Sequence, residues 1–568
     1  MISIAAAGLL VCFVAQAVLS MKDKSVTVDE ITYITAGYYH LQTGDFHYNM
    51  TNPPLMKILA GLPLLLLNPA LPEMESDPDD WDAIEEWQYA RRFLYDNRVD
   101  ADRMLFAARL PIVALGVTLG ILVFVWASEL YGRGSGLLAL FLYAFSPNIL
   151  AHTRLATQDL GVALFVFSSG YFFWRYTTHR QLSSLFASAA IVGCGILTKT
   201  TAGFVAPIFG IYYLTGIFAS NEFGVDVRFP WVARLGAEQV RRRQLLTAAW
   251  IGVVFGGVIL AVVNLGYGFQ GSFSEIPLVP SAFERSIHFQ LRLSSFGGVF
   301  FAGDIYENSL WFIIFPTILL KTPVPILLIA AVAAVRVAIR RRAWEGEMLI
   351  VSAIGVFVGL FVLLNNLGTI LRYVLPIYPF AFVLVGRLAS EELPHRAAIR
   401  AAGCALALWY LVGTLAVFPH YLAYFNELAG GPANGHKVLA ESNLDWGQDL
   451  KGLKTYMGEN GIDRIKLGYF GSADADYYGI DYDYLPSVGL KPQKAGQRWW
   501  YEIDPDLIGD EPRPTGRIAV SVALIQGARW LGRLFEPTYG WLRDYEPIET
   551  IGHTIHIYDI PDKPRGKP

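Results

Sequence analysis

The sequence has few charged residues. Only 17% of its 568 residues are Asp, Glu, Lys or Arg, whereas about 25% is typical of soluble chains. The mean hydropathy is correspondingly high, at +0.38. This composition excludes a disordered chain, a coiled coil and a soluble multidomain enzyme. A net charge of −4, with no long basic run, argues against a nucleic-acid-binding protein.

Cysteine and the common cofactor motifs are scarce as well. The three cysteines, Cys12, Cys194 and Cys404, each lie in an apolar run, without the spacing of a metal site or a disulfide framework. The sequence lacks a Walker A motif, a strand–GxGxxG–helix pattern and an HExxH motif. We therefore expect no metal ion and no required cofactor.

Long apolar runs are abundant, and about eleven of them are candidate transmembrane helices. These segments are 3–20, 104–128, 135–150, 159–176, 183–198, 202–219, 246–265, 323–338, 347–364, 372–389 and 401–418. Two further apolar runs, 53–67 and 309–322, contain both proline and lysine. We expect those two to form helices at the membrane face.

Arginine is concentrated on alternate connections between these segments. Because Lys and Arg collect on the cytoplasmic side, this distribution predicts a cytoplasmic N-terminus, with the loop 21–103 on the outer side. Lys22 and Lys24, which follow the first span, are the exception. An alternative for the first span is a cleaved signal peptide, since Ala15–Ala17 resembles a cleavage site.

The composition divides the chain into two predicted domains, 1–418 in the membrane and 419–568 outside the cytoplasm. The second segment contains candidate strands at 464–470, 517–525 and 552–558 and a candidate helix near 447–459. This pattern is typical of a small soluble α/β domain. No internal repeat is evident, which argues against a transporter built from repeats.

Two acidic positions on the outer side are candidates for chemistry. Asp29 and Glu30 begin an amphipathic segment, and such a pair could include a general base for an acceptor hydroxyl. The alternative is an acidic pair favoured by a helix dipole. Arg154 and Asp159 flank a short outer connection, where they could form a structural ion pair or position a phosphate and a second acid.

Basic residues border the same level of the outer leaflet. Lys57 follows the segment Asn52-Pro53-Pro54, and Lys199, Lys321 and Arg372 lie in or beside apolar segments. Several cations at one level suggest an anionic lipid head group such as a polyprenyl phosphate. Each lysine alone could equally extend to ordinary phospholipid head groups.

Several motifs, in this order, carry a resemblance to a known family. They are Asp29-Glu30, Asn52-Pro53-Pro54-Leu55, Arg154 with Asp159, Leu320-Lys321-Thr322-Pro323, Leu371-Arg372-Tyr373, the stretch 419–427 (PHYLAYFNE) and the stretch 442–449 (SNLDWGQD). The chain resembles the dolichyl-phosphate-mannose protein mannosyltransferase family, especially its bacterial branch that uses polyprenyl-phosphate sugars. The resemblance implies an α-helical GT-C membrane fold and inverting sugar transfer.

The resemblance also implies roles for individual residues. Asp29 would be the catalytic base, Glu30 an orienting neighbour and Asp159 a second functional acid. The donor phosphate would be held by Lys57, Arg372, Lys321 and Tyr373, and Arg154, His152, Lys199 and Asn52 would complete the site. Partners would be a polyprenyl-phosphate-linked sugar, membrane lipids and an acceptor that the resemblance does not identify. Three competing hypotheses remain: an oligosaccharide ligase or polymerase, a lipid-linked sugar transporter or flippase, and a non-catalytic lipid-binding membrane protein.

Overall fold

A computed structural model describes most of the chain. The described residues are 2–74, 83–219, 223, 226, 232, 234–235, 239–272, 278–294, 299–306, 310–339, 344–363, 371–390, 396–439, 441–485, 513–527, 529–530, 533–534 and 539–562.

Helices dominate the first three quarters of the chain. They are α1 (Ile2–Met21), α2 (Glu30–Thr43), α3 (Leu55–Gly61), α4 (Leu64–Leu67), α5 (Ala83–Tyr95), α6 (Ala101–Tyr131), α7 (Arg133–Ala144), α8 (Pro147–Thr153), α9 (Asp159–His179), α10 (Leu182–Ile196), α11 (Val205–Ala219), α12 (Val240–Gly266), α13 (Ser281–Ser294), α14 (Ile314–Lys321), α15 (Val324–Ile339), α16 (Trp344–Leu363), α17 (Ile377–Gly386) and α18 (Arg396–Ala416). A short antiparallel pair, β1 (Val299–Phe301) and β2 (Asp304–Tyr306), lies between α13 and α14.

Many of these helices can cross a membrane. Among the described residues, six are long and apolar enough to do so, or up to eight if each bent helix pair is one span. The protein is therefore an integral multi-pass membrane protein. The number is below the eleven expected from apolar runs, partly because α10 has only 15 residues and α17 only 10.

Bends account for another part of the difference. The expected span 135–150 is divided into α7 and α8, whose axes differ by 65°. The break is encoded locally, since the Ser146 side chain accepts from the Ile149 N–H and Pro147 takes the first helical position. Helices α14 and α15 meet at 116° across Pro323.

The C-terminal part is the small α/β structure that the sequence predicts. Its helices are α19 (Pro432–Gly435), α20 (Leu450–Glu459) and α21 (Val522–Gln526), and its strands are β3 (Ile465–Gly468), β4 (Tyr482–Tyr484), β5 (Gly516–Ser521), β6 (Arg529–Trp530), β7 (Arg533–Leu534), β8 (Glu549–Ile551) and β9 (Ile555–Ile560). One sheet has the order β4-β3-β5-β9-β8. Strand β3 is parallel to β4 and β5, and the remaining pairs are antiparallel.

The C-terminal part packs directly on the segment that follows α1. The Ser25 N–H donates to the Gln448 carbonyl at 3.0 Å, and the Val28 N–H donates to the Trp446 carbonyl at 3.0 Å. Lys24 is buried and paired with Asp449. These contacts fix the chain just before α2, where the candidate site begins.

Candidate active site

The start of α2 is held by a buried ion pair. Both carboxylate oxygens of Glu30 accept from Arg109 of α6, at 2.8 and 2.7 Å, and the Ala156 N–H donates to the same carboxylate at 2.8 Å. Burial alone would raise the pKa of Glu30, but Arg109 and the backbone donors hold it below its usual value. Glu30 thus joins α2 to α6 and to the connection before α9.

Asp29, by contrast, is directed towards Arg372. The Arg372 Nη1 atom lies 2.9 Å from Asp29 Oδ2 and 3.9 Å from Asp159 Oδ2. The Asp29 side chain keeps 24% of its surface exposed, whereas that of Asp159 keeps 2%. One guanidinium therefore lies between the two carboxylates that the sequence singles out, although their positions are 130 residues apart in the numbering.

A second cation lies on the other side of Asp159. The Lys199 Nζ atom is 3.1 Å from Asp159 Oδ1 and 4.2 Å from the centre of the Tyr373 ring. The order in space is thus Asp29, Arg372, Asp159 and Lys199, with alternating charge. Such alternation offsets part of the cost of burying each charge.

Aromatic rings surround this cluster. The Arg372 guanidinium lies 4.4 Å from the Trp446 ring centre and 5.5 Å from that of Tyr373. The Tyr33 hydroxyl accepts from the Asn52 amide at 3.0 Å. Burial, and next the negative charge of Asp29, raise the pKa of Tyr33 well above its usual value. Sequence reasoning missed Tyr33 and Trp446, although Trp446 lies within the 442–449 motif.

Three polar side-chain atoms in this neighbourhood are buried without a hydrogen-bond partner among the described residues. They are Arg372 Nε, His152 Nδ1 and Gln158 Nε2. His152 interacts electrostatically with both Asp159 and Arg372, and Gln158 directly precedes Asp159. An unsatisfied buried donor or acceptor costs about 1–3 kcal/mol, so their concentration here is consistent with a site that a ligand completes.

Lys57 and Lys321, which the sequence predicts as phosphate ligands, have backbone carbonyl groups as partners. Lys57 donates to the backbone carbonyls of Asn49 and Asn52, and Lys321 donates to those of Leu422 and Asn443.

Arg154 likewise donates to the carbonyls of Ser20 and Pro419, at 2.5 and 2.7 Å. It is 1% exposed, as is Lys57, and Lys321 is 2% exposed. These three cations join separate chain segments through backbone oxygens. The phosphate contact expected for Lys57 and Lys321 stays a prediction, and it would require those hydrogen bonds to open.

Within the described ranges, no three His, Cys, Asp or Glu side chains are grouped as metal ligands would be. The carboxylates of Asp29 and Asp159 face Arg372 and Lys199 instead. Arg372 thus lies between a partly exposed carboxylate, that of Asp29, and a buried one, that of Asp159.

Comparison with known proteins agrees with the family suggested by the motifs. A family model described as dolichyl-phosphate-mannose-protein mannosyltransferase matches residues 101–236. That segment contains Arg154, Asp159 and Lys199, and the match confirms the resemblance over this part of the chain. No curated protein matches the sequence.

Several solved structures are similar at low sequence identity. ArnT from Cupriavidus metallidurans in the apo state has a TM-score of 0.47 at 13% identity, over 97% of this chain and 98% of that chain. ArnT from the same organism bound to undecaprenyl phosphate has a TM-score of 0.47 at 14% identity, over 98% and 97%. The Archaeoglobus fulgidus oligosaccharyltransferase in complex with Zn and sulfate has a TM-score of 0.42 at 14% identity, over 88% of this chain and 59% of that chain.

Proposed function

We propose that this protein is a GT-C glycosyltransferase that transfers a sugar, with inversion, from a polyprenyl-phosphate-linked donor to a hydroxyl acceptor. The observation that carries the proposal is the alternation of Asp29, Arg372, Asp159 and Lys199 at one place. The family description supports the choice of a sugar attached to a lipid phosphate. The arginine-rich connections support placing the site on the outer face of the membrane, with the N-terminus inside. The resemblance to the bacterial branch supports a bacterial cytoplasmic membrane.

In the proposed reaction Asp29 is the general base, because it is the more exposed of the two carboxylates. Its carboxylate takes the proton of the acceptor hydroxyl, and the acceptor oxygen attacks the anomeric carbon of the donor sugar. The bond from that carbon to the phosphate oxygen breaks, and the polyprenyl phosphate leaves with the electron pair. One direct displacement inverts the anomeric centre.

Arg372 is the proposed phosphate ligand. Its Nε–H group has no hydrogen-bond partner among the described residues, and guanidinium binds phosphate through paired hydrogen bonds. During transfer, one negative charge disappears from Asp29 and one appears on the leaving phosphate. A guanidinium 2.9 Å from Asp29 can stabilise the charge at both places, and Lys199 adds a second cation nearby.

The test is transfer by the full-length protein reconstituted in lipid vesicles. Radiolabelled polyprenyl-phosphate sugars, beginning with mannose, are supplied with acceptors extracted from bacterial envelopes. We expect Asp29→Asn to lower the transfer rate about 10²- to 10⁴-fold, as general-base catalysis contributes. The control is Asp23→Asn, since Asp23 is exposed and lies in the same connection.

Equal transfer by wild type and Asp29→Asn would overturn the proposed role of Asp29. Movement of the labelled lipid across the vesicle membrane, with no label on any acceptor, would instead indicate a flippase. Donor binding without either activity would indicate a lipid-binding protein.

A further inference from the structure

A short C-terminal segment, residues 443–448, lies against both chain segments that carry the proposed reacting groups. Its Trp446 carbonyl accepts the N–H of Val28 at 3.0 Å, and its Asn443 side-chain oxygen accepts the N–H of Leu371 at 3.0 Å. Val28 directly precedes Asp29, and Leu371 directly precedes Arg372. The same segment therefore fixes the backbone next to each partner of the Asp29–Arg372 ion pair.

The side chain of Trp446 reaches Arg372 itself. Its ring centre is 4.4 Å from the guanidinium carbon, and Trp446 is only 4% exposed. At this distance the ring face attracts the cation and limits the directions it can take. The segment thus restrains the backbone before Arg372 and the charged end of its side chain.

The 443–448 segment is itself anchored on two sides. The Lys321 ammonium donates to the Asn443 carbonyl at 2.5 Å. The Asp445 carboxyl group accepts the N–H of Gly447 at 3.0 Å and that of Ala523, at the start of α21, at 3.2 Å. The hydrogen bond to Ala523 thus connects the 443–448 segment to the C-terminal part. The hydrogen bond from Lys321 connects the same segment to the end of α14.

The residue before Asp29 is hydrogen-bonded through both its N–H and its C=O group. The Ser472 hydroxyl donates to the Val28 carbonyl at 3.1 Å, so both the N–H and the C=O of Val28 bind C-terminal residues. A change of about 1 Å between reacting groups is enough to slow catalysis strongly. A restraint at both polar groups of the preceding residue prevents such a displacement.

We propose that Trp446 and Asn443 are positioning residues, and that the C-terminal part completes the active site by fixing Arg372 beside Asp29. The inference rests on the proposed function, in which Arg372 binds the phosphate of the donor. It assigns the C-terminal part a role in the donor site. On this basis, changes in the 443–448 segment alter donor binding without altering the affinity for the acceptor.

The experiment measures binding of undecaprenyl phosphate to the full-length protein in nanodiscs, together with its thermal unfolding. The variants are Trp446→Phe, Trp446→Leu, Asn443→Ala and Arg372→Gln. The matched control is Trp541→Leu, because Trp541 also lies beside an arginine, Arg513, at 5.2 Å, but outside the 443–448 segment.

We expect Trp446→Leu to weaken binding about 2- to 30-fold, the range of a cation–π contact. Trp446→Phe, which keeps an aromatic face, should recover part of that loss, and Asn443→Ala should weaken binding as well. Trp541→Leu should bind as wild type. Where transfer is measurable, the KM for the acceptor at saturating donor should not change.

The outcomes separate the two proposals. If Arg372→Gln binds undecaprenyl phosphate as wild type does, the proposed phosphate site is wrong, and the positioning role falls with it. If Arg372→Gln loses binding while Trp446→Leu keeps it, only the positioning role is overturned. The positioning role is also overturned if the loss of binding among the variants parallels their loss of thermal stability and Trp446→Phe does not recover binding.

Discussion

The buried pair of Glu30 and Arg109 gives the sharpest test of how the site is supported. All the groups that bind the Glu30 carboxylate are donors: two nitrogens of Arg109, the N–H of Ala156, and the N–H and hydroxyl of Thr27. In Glu30→Gln, an amide NH2 group must replace one of the two acceptor oxygens. Whichever oxygen it replaces, it faces at least two donors.

The structure therefore predicts a large loss of stability for Glu30→Gln. The Glu30 and Arg109 side chains are 0% and 1% exposed, and breaking a buried pair by removing one partner costs about 3–5 kcal/mol. Because Glu30 follows Asp29 directly, we also expect transfer to decrease. Glu129→Gln is the control, since the Glu129–Arg175 pair is about one-third exposed and such pairs contribute less than about 1 kcal/mol.

The measurement is thermal unfolding in detergent, followed by tryptophan fluorescence. The pKa of Glu30 in the folded protein is lowered. The stabilisation that its ionised carboxylate gives the fold is therefore fully present above the pKa of Glu30 in the unfolded chain, and it is lost as the pH falls through the pKa in the folded protein. The difference between wild type and Glu30→Gln should therefore shrink in acid. A Glu30→Gln protein that unfolds within a degree of the control at neutral pH would refute the reasoning.

Two further predictions concern residues around the site. Burial raises the pKa of Asp445 to about 7. Between about pH 4 and 7 the folded protein therefore keeps a proton on Asp445 that the unfolded chain releases. As the pH rises through this range, the free energy of unfolding should fall by up to about 1.4 kcal/mol per pH unit. Asp445→Asn should lack this slope in unfolding measurements at pH 5, 6 and 7, and parallel curves for the two proteins would contradict the prediction. Arg372→Lys keeps the charge but loses the paired donors, so its affinity for undecaprenyl phosphate should fall about 10-fold or more; an unchanged dissociation constant would argue against a guanidinium contact.

The sequence was most informative where charge interrupts apolar runs. Asp29, Asp159, Lys199 and Arg372 could all be singled out because an ionisable group beside lipid needs a partner or a function. The structure brings these four together. The strands and helix expected in the C-terminal part overlap β3, β5, β9 and α20, because alternating apolar residues define strands locally. The strand expected at 517–525 was wrong in its second half, since β5 ends at Ser521 and Val522–Gln526 form α21.

The sequence was less informative about which cations face the site. Lys57 and Lys321 have the same local pattern as Lys199, an ammonium group within an apolar segment. What distinguishes Lys321 is a carbonyl of Asn443, 122 positions away, and no local pattern reveals such a partner. The number of candidate spans among the described residues is below the expected eleven for a related reason, since an apolar run does not show where a helix bends.

The charges of the cluster are the reason for which we propose Asp29, and not Asp159, as the base. Two carboxylates and two cations sum to no net charge, which lowers the cost of placing them beside lipid. A donor phosphate that binds Arg372 adds negative charge, so one carboxylate must give up part of its contact with the guanidinium. Asp159 keeps Lys199 at 3.1 Å and is 2% exposed, whereas Asp29 has only Arg372 among its described ion-pair partners and is 24% exposed. In the proposed reaction, donor binding would therefore release Asp29 first, and an acceptor hydroxyl would find a free base only after the donor has bound.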